Sequence, residues 1–223
     1  MKGTSNAGAA GLIRPEVARD LLGIEAVTLS PENPFTWASG LKAPIYCDNR
    51  LTMAYPEVRL RLTRGFLTLI LEHTLTPEVI VGTATAGIPH AAWLAQALNR
   101  PMAYVRAKPK AHGRGNQIEG RIEPGQRVIV VEDLVSTGMS SMGSVEALRA
   151  AGAEVLALLA IFTYGLPGVA ERFEKADVPF YTLTTFDTLL RVAYEDEHLS
   201  EDDCRSLKAW QQEPEAWSEA HSG

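Results

Sequence analysis

Two carboxylates, Glu132 and Asp133, stand directly after the apolar run Val128-Ile-Val-Val131 and directly before the stretch Leu134-Val-Ser-Thr-Gly-Met-Ser140. The apolar run reads as a buried parallel strand, and Ser140 to Ala150 carries apolar positions at helical spacing. The turn between them is expected at the carboxyl end of a strand and the amino end of a helix. Unpaired backbone N–H groups and the helix dipole favour an anion there. Ser136, Thr137 and Ser140 add hydroxyl donors, and Gly138 lets the backbone approach a phosphate closely. The two carboxylates repel a phosphate, but they accept hydrogen bonds from vicinal ribose hydroxyls or bind a hydrated magnesium ion. A ribose 5-phosphate satisfies both halves. The plainer alternative is a solvated acidic loop with a capping serine. No Walker loop or dinucleotide fingerprint follows a strand anywhere in the chain.

Two further loops can carry chemistry. Gly82-Thr-Ala-Thr-Ala-Gly-Ile-Pro89 is small enough for backbone amides to contact an anion; otherwise Thr85 merely caps the next helix. The segment Arg106 to Arg121 holds Arg106, Lys108, Lys110, His112, Arg114 and Arg121 against Glu119 alone, in a chain whose net charge is -6. A local basic patch in an acidic protein fits an anionic small molecule better than a polyanion. With Gly113, Gly115 and Gly120 beside the cations, this loop can close over a diphosphate and exclude water; the alternative is a solvated charged loop. Phe35 to Arg50, taken alone, reads as a turn and then a strand, with Lys42 at the surface and Cys47 a small core residue.

These loops need a scaffold, and the periodicity supplies one. A helix is expected from Pro15, placed in its first turn, to Leu22, then a hairpin-like segment through Asp48 and a long amphipathic helix from Pro56 to His73. Strands are expected at Glu78–Val81, Met102–Arg106, Val128–Val131, Glu154–Phe162 and Phe180–Leu183. Helices are expected at Ile88–Leu98, Ser140–Ala150, Pro167–Lys175 and Thr185–Tyr194. A last helix from Ser200 to Trp210 opens with a capping box formed by Ser200 and Asp203. Alternating strands and helices predict an α/β fold, a parallel doubly wound sheet flanked by helices, with ligands at the carboxyl ends of its strands. The expected division is a flexible tail at 1–12, a hood over the sheet edge at 13–55, a core at 56–198, and a C-terminal helix with an acidic tail at 199–223.

The 223 residues, 46% hydrophobic, allow one substantial core. The N-terminal stretch lacks an apolar signal region, and no segment is long and apolar enough to span a bilayer. Cys47 and Cys204, far apart in unlike contexts, form neither a disulfide framework nor a zinc site. A cytoplasmic protein is expected, with neither nucleic acid nor membrane as partner.

The stretch 127–141 resembles the phosphoribosyl-diphosphate signature of the type I phosphoribosyltransferases: an apolar strand, two acidic residues, two variable residues and a Ser-Thr-Gly turn. Phe35-Thr-x-Ala-Ser-Gly-x-Lys-x-Pro-Ile-Tyr-x-Asp resembles the N-terminal signature of orotate phosphoribosyltransferases, and the basic segment with Ile118-Glu-Gly120 resembles their catalytic loop. With Thr83-Ala-Thr-Ala-Gly-Ile-Pro89, four motifs in the family's order run from Pro34 to Ser141.

The resemblance implies the type I phosphoribosyltransferase fold with a small N-terminal hood, and transfer of ribose 5-phosphate from phosphoribosyl diphosphate to orotate in pyrimidine biosynthesis. It implies Mg2+ as cofactor and a homodimer whose active sites are shared. Arg106, Lys110 and His112 are implied to contact the diphosphate, joined by Lys108, and Glu132 and Asp133 to hold the ribose hydroxyls. The substrate-binding run is Leu134, Val135, Ser136, Thr137, Gly138, Met139 and Ser140, with the 5-phosphate in the Ser136–Ser140 turn. Ser136 also matches a position touching orotate, and Lys42 matches one near the reacting base. Lys110, His112, Arg106 and Asp133 are the implied catalytic residues; no residue is assigned as a dedicated metal ligand. This chain departs from some members at Ala107 and Ala86, where they have lysines, and at Trp37, where a smaller apolar residue is common. A phosphoribosyltransferase for another base, or a non-catalytic sensor of phosphoribosyl diphosphate, remain the alternatives.

Overall fold

A computed structural model describes residues 9–37, 39–108 and 117–221, the side chains of residues 9–12 aside. In chain order the elements are α1 (Ala9–Gly23), β1 (Val27–Leu29), β2 (Phe35–Thr36), β3 (Lys42–Ala43), β4 (Ile45–Cys47), a 3-10 helix (Asn49–Ala54), α2 (Pro56–Glu72), β5 (Val79–Thr83), α3 (Gly87–Leu98), β6 (Met102–Val105), β7 (Ile118–Glu119), β8 (Arg127–Val135), α4 (Met139–Ala150), β9 (Glu154–Thr163), α5 (Val169–Lys175), β10 (Phe180–Thr185), α6 (Phe186–Glu195), α7 (Glu201–Gln212) and α8 (Pro214–Ala220).

The main sheet runs β10-β9-β8-β5-β6-β7, parallel throughout except for the antiparallel edge strand β7. Its strands are apolar on both faces because helices cover both. Ile80, Ile129 and Leu159 face one core, with Phe66 of α2, Leu94 of α3 and Leu189 of α6. Val81, Val130 and Leu158 face the other, with Val145 and Leu148 of α4 and Phe173 of α5. The chain passes from β5 outward to β6 and then returns to β8 on the other side of β5. The topological switch point, where ligands bind in such sheets, therefore lies between the carboxyl ends of β5 and β8.

The hood consists of two antiparallel ladders, β1 with β4 and β2 with β3. Its anchor is Trp37, whose Nε1–H donates to the Ile45 carbonyl at 3.1 Å and whose ring lies 5.3 Å from Tyr164 and 5.6 Å from Trp210. The large residue at a commonly smaller position thus ties the hood to the core and to α7.

Four expectations change. First, α1 begins at Ala9, so residues 9–12 belong to a helix and Pro15 lies inside it. Val17 and Leu21, four residues apart, are fully buried with Ile13 packed beside them, so core packing carries the helix across the proline. Second, β8 does not stop at Val131 but continues through the acidic pair to Val135, paired with β9 as far as Thr163. Third, the polar segment after β6 contains β7, held by Tyr104↔Glu119 and Val105↔Ile118 pairing. Fourth, the end of the chain is the helix α8, with Trp217 buried and donating Nε1–H to Ser206 at 3.2 Å. The Ser200–Asp203 capping box is present as expected.

Candidate active site

At the switch point β8 delivers the two carboxylates. Glu132 is buried; its Oε1 accepts the Asp133 N–H at 3.1 Å and its Oε2 accepts the Ser141 hydroxyl at 3.2 Å. Burial, reinforced by the Asp133 charge, pushes the Glu132 carboxyl well above the usual carboxylate range. Burial also raises Asp133, opposed by hydrogen bonds from Glu132 and from the Leu134 N–H and by the Arg50 charge. Two carboxyls this close titrate as a pair, each ionising at the other's expense.

Beyond the pair, Leu134 and Val135 are strand residues paired with Phe162 and Thr163, and the Val135 side chain is buried in the α4–α5 core. Their part is to carry the backbone into the turn. Gly138 then adopts φ 77 at the N-cap of α4, a conformation glycine tolerates best. Thr137, Met139 and Ser140 are exposed and Ser136 half-buried around the first turn of α4, whose N-terminus has no side-chain cap bond. Such a helix N-terminus, with unpaired amides and nearby hydroxyls, is of the kind that favours an anion.

The neighbouring turn follows Thr83 at the end of β5. A side chain on Gly87 would place a Cβ 2.4 Å from the Val131 carbonyl oxygen, so only glycine lets α3 start against β8. Thr85 does not cap α3: the N-cap is Ala86, without a side-chain bond. Thr83 Oγ1 and Asn49 Oδ1, like Thr184 Oγ1 on β10, are buried and have no hydrogen-bond partner among the described residues. Orphaned buried polar atoms are uncommon.

At the sheet edge, the Arg106 N–H donates to the Gln117 carbonyl at 2.9 Å, Gln117 Nε2 donates to the Arg106 carbonyl at 2.7 Å, and the Arg106 guanidinium meets Glu119 at 3.3 Å. The basic segment is therefore closed at its base beside the β5 turn, since Thr83 pairs with Val105. Lys108 is exposed just beyond Arg106. Lys110 and His112 lie outside the described residues. Lys42 sits on β3, half-buried, its N–H donating to Ser218 Oγ of α8 at 2.8 Å. The acidic C-terminal segment thus braces the strand that carries Lys42.

Asn49, Thr52 and His90 were not expected here. Asn49 Nδ2 donates to the Asp133 carbonyl at 2.7 Å, the Thr52 hydroxyl donates to the Asn49 carbonyl at 2.6 Å, and Thr52 Oγ1 lies 3.3 Å from His90 Nε2. Burial lowers the His90 pKa to about 4, so the ring is neutral. The available sequence signal was a lone histidine within the otherwise apolar run Ile88-Pro-His-Ala-Ala-Trp-Leu94.

Among the described residues no group of three or more His, Cys, Asp or Glu side chains is placed to hold a metal ion, and no helix is long and apolar enough to cross a membrane.

A phosphoribosyl transferase domain model matches residues 59–181. Sheet order, acidic strand and phosphate turn together define the type I phosphoribosyltransferase class. An orotate phosphoribosyltransferase from Bacillus subtilis (strain 168) is 54% identical over 205 residues, covering 92% of this chain and 95% of its own. The crystal structure of orotate phosphoribosyltransferase from Aeropyrum pernix matches with TM-score 0.71 at 29% identity, over 82% of this chain and 99% of that one. The structure of Leishmania donovani UMP synthase matches with TM-score 0.76 at 26% identity, over 92% of this chain but 42% of that longer one. The chain belongs to the orotate phosphoribosyltransferase family.

Proposed function

We propose that this chain transfers the ribose 5-phosphate group from 5-phosphoribosyl 1-diphosphate to orotate, giving orotidine 5-phosphate and diphosphate, as a step of pyrimidine biosynthesis. The observation that carries the reading is the Asp133 carboxylate directly before the uncapped, hydroxyl-rich N-terminus of α4, at the switch point of a sheet whose relatives bear that activity.

Breaking the anomeric C–O bond builds positive charge on the ribose and negative charge on the leaving diphosphate. No covalent nucleophile is needed, and the protein's contribution is electrostatic and positional. Asp133 accepts the ribose hydroxyls. Glu132, held by the Ser141 hydroxyl, joins it in doing so. Ser136 to Ser140 and the α4 amides take the 5-phosphate, and the Thr83–Gly87 turn takes the diphosphate. Arg106, Lys108 and Lys110 neutralise the leaving oxygens, His112 hydrogen-bonds or protonates them, and Lys42 stands near the orotate.

Magnesium fits this donor set: it commonly uses one or two carboxylates plus substrate oxygens rather than a dedicated protein cage, and Asp133 supplies one anionic carboxylate. Asp133 would help hold the ion, which would supply positive charge against the leaving diphosphate. We place the protein in the cytoplasm as a homodimer with shared sites. In support, Leu51, Met53, Tyr55 and Leu60 are exposed large apolar side chains, and Leu60 lines a groove between α2 and α3 in which Arg59 lies over the Trp93 ring at 5.0 Å.

The test is the orotate absorbance change with phosphoribosyl diphosphate, with and without magnesium. The expected result is magnesium-dependent loss of orotate; no loss under either condition contradicts the reading.

A further inference from the structure

The diphosphate turn and the ribose-binding carboxylate hang on adjacent strands, β5 and β8, and three buried side chains link them through the hood. Asn49 donates to the Asp133 carbonyl, 84 residues away in sequence, and its own carbonyl accepts the Thr52 hydroxyl. That hydroxyl has one proton, already directed at Asn49, so toward the ring nitrogen 3.3 Å away it can only accept. His90 is therefore the tautomer carrying its proton on Nε2, and it stands in the first turn of α3, three residues after Gly87. The three residues are 1%, 0% and 2% exposed, so water cannot replace a lost bond.

The link reaches both loops at their roots. Asn49 holds the peptide of Asp133 itself, and His90 belongs to the helix that emerges from the diphosphate turn. The strands are also joined directly, by β5–β8 pairing as far as Gly82↔Val131 and by the close approach of Gly87 to Val131, so what the three side chains add is a hold on the Asp133 peptide, two residues beyond the last pair.

We propose that Asn49, Thr52 and His90 form a positioning relay that fixes the Asp133 carboxylate relative to the Thr83–Gly87 turn, so that both ends of the sugar diphosphate are met at once. The proposal rests on the reading of these two loops as one phosphoribosyl diphosphate site. None of the three side chains is accessible to substrate; they act through Asp133 and through the start of α3. A hood that merely docked would use the same bonds for stability alone, and the two roles separate in kinetics.

Thr52→Val keeps the shape and removes both bonds, whereas Thr52→Ser keeps the hydroxyl. Thr52→Val is expected to raise the KM for phosphoribosyl diphosphate about tenfold, equivalent to ~1.4 kcal/mol, with the orotate KM unchanged. Thr52→Ser restores the wild-type value. His90→Leu and His90→Gln, the latter keeping an N–H, repeat the contrast if Thr52→Val does not fold. Titration calorimetry with phosphoribosyl diphosphate and magnesium reads binding directly. Wild-type protein that binds while Thr52→Val binds equally well overturns the relay alone. Failure of Thr52→Ser to restore the KM also overturns it. Wild-type protein that does not bind phosphoribosyl diphosphate overturns the site reading, and the relay with it.

Discussion

The acidic cradle on β8 and α4 and the basic segment between β6 and β7 carry opposite charge, and they are built by opposite means. Glu132 is buried in the sheet, hydrogen-bonded to its neighbour and to Ser141, and the strand behind it is flanked by two cores. Arg106 and Lys108 are solvent-facing, and the described part of their segment is held by backbone bonds to Gln117 and one ion pair to Glu119. On the proposed reading, charge that holds a neutral sugar in one orientation is embedded in the fold, and charge that meets a leaving group already bearing several negative charges needs less exact placement. Substitutions in the two regions should therefore divide differently between activity and stability.

The largest effect is expected at the cradle. Asp133→Asn removes the anionic acceptor and should lower kcat by at least about 100-fold, the scale on which a single preorganised electrostatic contact acts. It also relieves like-charge burial beside Glu132, so the melting temperature should not fall. A loss of activity matched by a large fall in melting temperature breaks the comparison. In the basic segment Lys110→Ala should lower kcat by roughly 10- to 100-fold. It should leave stability unchanged, as expected of a lysine whose proposed contacts are with the substrate. Equal losses in melting temperature and activity count against this.

Gly87→Ala tests how tightly the cradle is built. The added Cβ meets the Val131 carbonyl oxygen, a backbone atom, at 2.4 Å, so a cost of about 1–3 kcal/mol is expected from overpacking. Chemical denaturation measures it, and a neutral result would show that α3 can withdraw from β8 freely.

A further effect is a pH dependence. His90 is neutral in the folded state down to about pH 4, against an ordinary value of 6.5. The unfolded chain therefore binds the extra proton first. The stability associated with a neutral His90 is fully present above pH 6.5 and is lost as pH falls toward 4, by at most ~1.4 kcal/mol per pH unit. Denaturation midpoints across that window should slope for the wild type and flatten for His90→Gln.

Much of this architecture is legible in the residues. Uninterrupted apolar runs such as Val128 to Val131 announce strands buried on both faces, and the Ser200–Asp203 pair announces the start of α7. What is not legible depends on partners distant in sequence. Carboxylates read as the end of a strand, yet β8 runs on through Glu132 and Asp133 because β9 pairs with it there. β7 consists of two residues in a polar stretch and exists only through its pairing with β6. The acidic stretch after Pro214 reads as a tail, but Trp217 finds Ser206 and Ser218 finds the Lys42 backbone. Of the site, the charged and hydroxyl residues carry a recognisable pattern in single stretches of chain. Asn49, Thr52 and His90 do not, because their roles come from contacts 84 and 38 residues apart.

If the cradle and the basic segment take the two ends of phosphoribosyl diphosphate and the hood supplies the place for orotate, diphosphate release with magnesium should depend on the base. Measured across orotate, uracil, adenine and hypoxanthine, release is expected with orotate and not with the other three; release with a purine and none with orotate would contradict this.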